Sequence, residues 1–349
     1  MTSFAEHEAA GSVGARIVAV ATHVPQTVLD NAELAALYPE WPADKILDKT
    51  GIAERHIAGP DETALDLGVA AAEKLFVKTG IGKADVDFLI FCTQAPDYVL
   101  PTSACIMQNR LQLGTGIGAL DINLGCSGFV YGLSLAAGLI AGGMASTILL
   151  VTADTYSKYI NARDKSVRTL FGDGAAATLI RRNGPGDTGS IGPFEFGTDG
   201  SGAHQLIVEG GGFRTPRSPE TAEEVVDKSG NARSRDNLYM NGGAVLNFTL
   251  KRVPEVVGRL TDKMGLPIEA FDSVILHQAN KFMLDSLQKK LGLSDERVPR
   301  RYADVGNTVS STIPFVLENM AEQSRFPAGR HMLVGFGVGL SWAAGSISF

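Results

Sequence analysis

Short, wholly apolar runs alternate along the chain with stretches whose apolar residues recur at helical spacing. The runs at 16–21 (RIVAVA), 87–92 (DFLIFC), 118–122, 147–152 (TILLVT) and 175–181 read as strands with little polar alternation. Such strands are covered on both faces. The stretches at 64–76 (ending near Gly80), 103–113 and 127–141 read as helices, the last rich in small residues. This alternation predicts an α/β fold with largely buried strands.

The pattern repeats. KTGIGKADVDFLIFCT at 78–93 aligns without a gap on KMGLPIEAFDSVILHQ at 263–278, an offset of 185. Three further matches follow in the same order: QNRLQL on QKKLGL (offset 180), Gly125-Cys126-Ser127 on Gly306-Asn307-Thr308 (181) and 149–151 on 332–334 (183). The chain therefore reads as two α/β halves on one plan, 14–184 and 185–349. Between them, 182–241 is rich in Gly, Pro and mixed charge and reads as a strand or two plus a long surface loop, with a loop-rich insert at about 210–236. Matching halves create a crevice where corresponding strand ends meet, a favoured place for ligands in α/β folds.

Composition narrows the class. The 349 residues carry 31 Lys+Arg against 38 Asp+Glu, a net charge of −7, which argues against nonspecific nucleic-acid binding. No apolar run reaches the length of a membrane helix, and the polar stretch 1–14 does not read as a signal peptide. Cys92, Cys105 and Cys126 cannot all pair, and their spacing matches no zinc pattern. A cytoplasmic protein with free thiols is expected. The 40 glycines cluster at the ends of apolar runs, as tight turns require.

The repeat singles out three chemically able residues. Cys126 opens the helix at 127–141, where the positive end of the helix dipole is expected to lower its pKa, with Gly125 and Gly128 leaving room for a substrate. Asn307 takes the same place in the second half, before a helix at 310–323, and His277 ends the strand VILH. Each has a bland alternative: a packing cysteine, a structural histidine and an N-cap asparagine. Their joint placement at corresponding strand ends favours one shared site. Cys92, which matches His277, and Cys105 read as packing residues. GFGVG at 335–339 precedes a strand rather than a helix, so the dinucleotide fingerprint fails, and Gly172-Asp173-Gly174 reads as a turn.

The segments DINLGCSGF (121–129), FGDGA (171–175), HQAN (277–280), GNTVSSTIP (306–314) and GFGVGLSW (335–342) resemble the β-ketoacyl-acyl carrier protein synthase III family of the thiolase superfamily. The resemblance spans nearly the whole chain. It implies a thiolase-type, five-layered αβαβα fold, a homodimer, acyl-CoA and acyl carrier protein as substrates or partners, and no metal or bound cofactor. It implies that Cys126 carries an acyl group, with backbone N–H groups of Cys126 and Val338 as oxyanion donors. It further implies that His277 and Asn307 stabilise the enolate formed when a malonyl thioester loses CO₂.

The same match makes Lys45, Lys49, Lys165, Leu100 and Phe336 candidate substrate contacts, and Lys281, Lys289 and Lys290 candidate contacts for an acidic carrier protein. The chain departs from the family pattern in places. Lys45, Lys49 and Lys165 stand where many relatives have Trp or Arg gripping coenzyme A, Trp41 is four residues out of register, and Phe282 replaces a docking arginine. Lysine grips phosphate as a point charge but does not stack as Arg or Trp does, which points to a primer other than acetyl-CoA. Two other readings use the same residues: transfer of the acyl group from Cys126 to an alcohol or amine, or a silent partner subunit.

Overall fold

The computed structural model describes residues 14–324, 326 and 328–349; the stretch read above for a signal peptide lies almost wholly outside them. In chain order, β1 (Ala15–His23) leads into an excursion, β2 (Thr27–Asp30), α1 (Asn31–Leu37), α2 (Ala43–Thr50) and β3 (Glu54–Ile57), which the sequence pattern did not reveal. Next come α3 (Ala64–Thr79), β4 (Phe88–Cys92), α4 (Ser103–Arg110), β5 (Gly118–Ile122), α5 (Gly128–Ala141), β6 (Thr147–Asp154), the short α6 (Lys165–Arg168) and β7 (Gly174–Arg182). The predicted strands and helices of this region fall on these elements, with ends shifted by up to three residues.

The connecting region holds more structure than expected. It contributes β8 (Ser190–Thr198), a full edge strand of the second sheet, and the short β9 (Leu206–Val208), β10 (Val225–Val226), β11 (Ala232–Arg233) and β12 (Leu238–Met240), paired β10 with β11 and β12 with β9. Then follow α7 (Gly242–Met264), β13 (Ser273–Leu276), α8 (Lys281–Leu291), α9 (Thr312–Ser324), β14 (Arg330–Gly337) and β15 (Ser341–Ser348).

Two sheets share one topology. The first runs β1-β7-β6-β4-β5 and the second β8-β15-β14-β13. In each, the pair matched by the repeat is parallel (β4 with β6, β13 with β14) and the next two pairings are antiparallel. The register agrees with the offsets: Leu89 faces Leu149, and their counterparts Val274 and Met332 face each other. The Lys-x-Gly match also has a structural cause. Lys78 and Lys263 sit in the last turns of α3 and α7, where Gly80 (φ 67°) and Gly265 (φ 63°) take the left-handed C-cap conformation.

Burial separates five layers. Leu65, Leu67 and Leu75 of α3 cover one face of the first sheet, against Leu89, Phe91, Leu149 and Val151. Phe129, Val130 and Leu133 of α5 and Ile313, Val316 and Leu317 of α9 lie between the sheets, touching Ile90, Leu150, Ile275 and Leu333. Val253, Val257 and Leu260 of α7 and Leu287 of α8 cover the outer face of the second sheet. The two central helices are apolar because both sides face a sheet, and Cys126 and Asn307 stand before the N-terminal ends of these two helices. Among the described residues, no helix is long and apolar enough to cross a membrane.

Candidate active site

The residues from both halves meet at one cavity of about 340 Å³, lined by Cys126, His277, Asn307, Phe336 and Gly337 together with apolar side chains of α7 and α8. Cys126 is buried, and the backbone of β14 presses on it. A Cβ on Gly337 would lie 3.0 Å from Cys126 Sγ, and one on Gly335 would lie 2.8 Å from Ser127 Cα. Side chains there would close the site, so these two glycines of the GFGVG run serve close approach. The run continues into the β14–β15 hairpin, as expected. Val338, half-buried, touches Gly125 from the same side.

His277 follows β13, and its N–H donates to Val334 O at 2.8 Å. Its ring packs edge-on against Phe336, and its Nδ1 lies 2.7 Å from Thr312 Oγ1, which also reaches Val309 O at 3.2 Å. A hydroxyl has one proton and spare lone pairs. Donating to Val309 O, Thr312 accepts Nδ1–H and leaves Nε2 as a base. Donating to Nδ1, it leaves Nε2–H as a donor. Thr312 thus serves both tautomers, a role the sequence signalled only by its place in the GNTVSSTIP segment.

Asn307 is held more tightly. Its N–H donates to Leu170 O at 2.9 Å, and its C=O accepts from Gly172 N at 3.1 Å. Its side-chain Oδ1 accepts from Val309 N at 2.9 Å, which leaves the amide NH₂ as the end able to donate. Val309 adopts φ +55°, a left-handed conformation that is strained for a β-branched residue. The FGDGA segment is therefore no turn. Phe171 bridges to Asn307, and a Cβ on Gly172 would run into the Val305 carbonyl. Asp173, buried, accepts from Ala58 N (2.8 Å), Ser157 N (3.0 Å) and the Ser157 hydroxyl, locking the segment. In HQAN, Gln278 binds Leu276 O and Arg301 N, and Asn280 caps α8 through Met283 N while also lining the cavity.

The electrostatics correct one expectation. Burial, reinforced by Asp154, pushes the Cys126 thiol up to about 12 rather than lowering it. Burial also pushes His277 down to about 3. Both shifts favour the neutral forms, a thiol and an imidazole that line one cavity. Asp154, a residue not singled out from the sequence, is itself pushed up to about 7 by burial. It accepts from Gln94 N (2.8 Å) and from the Ser310 hydroxyl (2.5 Å), tying the first half to the segment after Asn307. An acidic residue ending the otherwise apolar β6 was the available signal.

Two further expectations change, those for Gly128 and Cys105, while that for Cys92 holds. Gly128 does not make room for substrate; a Cβ there would collide with Cys92 Sγ, so it serves helix-on-sheet packing. Cys92 is buried and its thiol donates to Leu124 O at 3.2 Å, as a packing residue does. Cys105 is exposed, because Ala104 and Met107 form the buried face of α4.

The comparisons with known proteins bear on the same segments. The family model described as 3-Oxoacyl-[acyl-carrier-protein (ACP)] synthase III matches residues 120–200, and its C-terminal companion matches 261–349. A beta-ketoacyl-[acyl-carrier-protein] synthase III of Chlamydia caviae is 34% identical over 334 residues, covering 95% of each chain. The chain belongs to the β-ketoacyl-acyl carrier protein synthase III family. A crystal structure of a 3-oxoacyl-(acyl-carrier-protein) synthase III is 55% identical with a TM-score of 0.94, over 96% of this chain and all of that one. A 3-oxoacyl-(acyl-carrier protein) synthase from Burkholderia xenovorans LB400 is 36% identical with a TM-score of 0.88, over 97% and 94% of the two chains. The fold is thus the thiolase-type fold of that family, and the protein is a condensing enzyme of the synthase III type.

Within that family frame, the remaining candidate residues have different placements. Phe336 is buried in the cavity wall. Lys45 and Lys49 are exposed and flank the Trp41 ring, with their Nζ atoms 5.4 and 5.9 Å from its centroid; Trp41 joins the patch although it is out of register. Lys165 is not a free cation. It is buried, paired with Glu40 at 3.0 Å and bonded to Ser229 O at 2.7 Å. Leu100 is exposed and is absent from the cavity lining. On α8, Lys281 pairs with Asp285 at 2.9 Å, Lys289 and Lys290 are exposed, and Phe282 lines the cavity while remaining largely exposed.

Proposed function

We propose that the enzyme joins an acyl group to a malonyl-derived two-carbon unit by decarboxylative Claisen condensation, with Cys126 as the acyl carrier. The Cys126 thiol gives its proton to His277 Nε2 as sulfur attacks a thioester carbonyl, and the departing thiolate recovers that proton. Backbone N–H groups of Cys126 and Val338 hold the carbonyl oxygen. A malonyl thioester then enters. Its C–C bond breaks to release CO₂, and the enolate oxygen is held by the Asn307 NH₂ and His277 Nε2–H. The enolate carbon bonds to the acyl carbon, and the Cys126 thiolate leaves and is reprotonated. Each step uses groups of this chain and its two thioester substrates, so no metal or bound cofactor is called for.

The observation that carries this reading is the fixed amide of Asn307. With Oδ1 committed to Val309 N–H, the side chain presents donors alone to the cavity it shares with Cys126. Simple acyl transfer to an alcohol or amine needs no enolate site. The acyl donor and acceptor are acyl-CoA or acyl carrier protein, whose acidic surface suits Lys281, Lys289 and Lys290. Lys45, Lys49 and Trp41 supply charge and an aromatic face outside the cavity. A homodimer would let the exposed Leu100 reach its partner's site. A cytoplasmic location fits the free thiols.

The test is intact-protein mass after incubation with acyl-CoAs and acyl carrier proteins, wild type beside Cys126→Ala, followed by malonyl thioester. A Cys126-dependent mass gain that malonyl thioester clears with CO₂ release is expected. A gain cleared only by an alcohol or amine would overturn the condensing reading.

A further inference from the structure

The early excursion supplies a support for Asn307. Two chain segments hold that residue: 170–172, which bonds its backbone through Leu170 O and Gly172 N, and 302–306, which leads into it and is closed by Gly306 N to Tyr302 O (2.8 Å). The strand β3 and the residues beside it bond both segments. Ala53 N and Glu54 N donate to Ala303 O (2.7 and 3.2 Å), and His56 O accepts from Asp173 N (2.8 Å). Arg55 stands between these contacts and is buried. A Cβ on Gly172 or on Gly306 would lie 3.1 Å from Arg55 Cβ, so its stem packs against both sides of the Asn307 clamp. Arg55 is absent from the cavity lining.

The Arg55 fork ties the excursion to that clamp. One terminal nitrogen donates to Leu29 O (3.2 Å) and Asn31 Oδ1 (2.8 Å), and the other donates to Thr169 O (2.9 Å), one residue before Leu170. The first end is anchored. Asn31 Nδ2 donates to Ile52 O (2.8 Å), and Leu29 packs with Leu34, Tyr38 and Ile46 in a small core of the excursion. Hydrogen bonds from a guanidinium are stronger than neutral ones, and a buried donor that loses its acceptor is costly. The second end therefore sets where Leu170 O stands, and Leu170 O accepts from Asn307 N. The segment needs such a restraint, because Val309 at φ +55° is held in a conformation that its neighbours must impose. We infer that Arg55 is a positioning residue for the condensation step, acting through Asn307 to hold its amide where the enolate oxygen forms; this rests on the condensing reading above.

The experiment compares wild type, Arg55→Met, Asn307→Ala and the double variant in two stages: Cys126 acylation by intact mass, then CO₂ release when malonyl thioester meets the pre-formed acyl-enzyme. Arg55→Met is expected to acylate within a few-fold of wild type and to release CO₂ about a hundredfold more slowly. The loss falls on kcat rather than on KM for malonyl thioester, because the displaced donor acts in the transition state. In the Asn307→Ala background the same substitution adds less than about threefold, because the group it positions is gone. Arg55→Lys keeps the charge without the fork and loses less, about tenfold. It takes the place of Arg55→Met, alone and with Asn307→Ala, if the latter does not fold. Equal loss in both stages, no loss in either, a loss carried by KM alone, or the same loss in the wild-type and Asn307→Ala backgrounds overturns the positioning role. A wild type that forms no adduct, or an Asn307→Ala variant that condenses at the wild-type rate, overturns the condensing reading and the positioning role with it.

Discussion

The two halves put different chemistry on equal positions. At the end of β4 stands Cys92, sealed between Gly128 and the Leu124 carbonyl. At the corresponding end of β13 stands His277, opened onto the cavity and steered by Thr312. Before the central helix α5 stands Cys126, the nucleophile of the proposed reaction; before its counterpart α9 stands Asn307, whose side-chain oxygen is committed to Val309 N–H. The second sheet lacks, among the described residues, a partner for β5. One scaffold thus offers equivalent strand ends, and in the proposed reaction the side chains there assign the covalent bond to one end and charge stabilisation to the other. The comparison also separates two buried titratable groups: burial pushes Asp154 from the first half towards its protonated form and His277 from the second away from its protonated form.

That contrast has opposite consequences with pH. Asp154 titrates at about 7 in the folded protein, above the ordinary carboxylate value, so the native state binds the extra proton between about pH 4 and 7. Its contribution therefore falls as pH rises through that window. His277 titrates at about 3, below its ordinary value, so its contribution is lost as pH falls from about 6.5 towards 3. Asp154→Asn removes the first effect and keeps the second. Relative to wild type, the variant's unfolding free energy should rise between pH 5 and 8, by on the order of a few kcal/mol. Urea unfolding at several pH values checks this, and parallel pH curves for the two proteins would contradict it.

Cys92→Ala sharpens the comparison at the smaller end. If Cys92 only packs, its loss leaves a small cavity costing about 1 kcal/mol and lowers the melting temperature by a few degrees. Cys126 acylation should stay near the wild-type rate. A large loss of acylation with folding intact would show that the first half's strand end is also part of the chemistry.

Much of this was legible in the sequence, for identifiable reasons. The strands β1, β4, β6 and β7 announced themselves because largely buried strands carry few polar residues, whereas β5, at the sheet edge, is only partly buried. The repeat survived because both halves keep the Lys-x-Gly helix ends and the Gly before Cys126 and Asn307. The excursion at 27–57 was not legible; its strands are four residues each and half exposed. Asp154 and Thr312 were missed because their roles arise from convergence across the fold: Asp154 meets Ser310 at a separation of 156 residues. The thiol was misjudged because a dipole argument reads the local helix, whereas the burial that dominates comes from β14 and the second half. Cys105 was misassigned because helix membership alone does not say which face a residue takes.

The central claim is that the halves divide the work, the first carrying the acyl group and the second the enolate. Asn307→Ala tests it most directly in two isolated stages: Cys126 acylation by mass, then CO₂ release and product formation after malonyl thioester is added to the pre-formed acyl-enzyme. The account predicts acylation within a few-fold of wild type and condensation slowed by about a hundredfold to a thousandfold. Equal loss in both stages, or undiminished condensation, would contradict it.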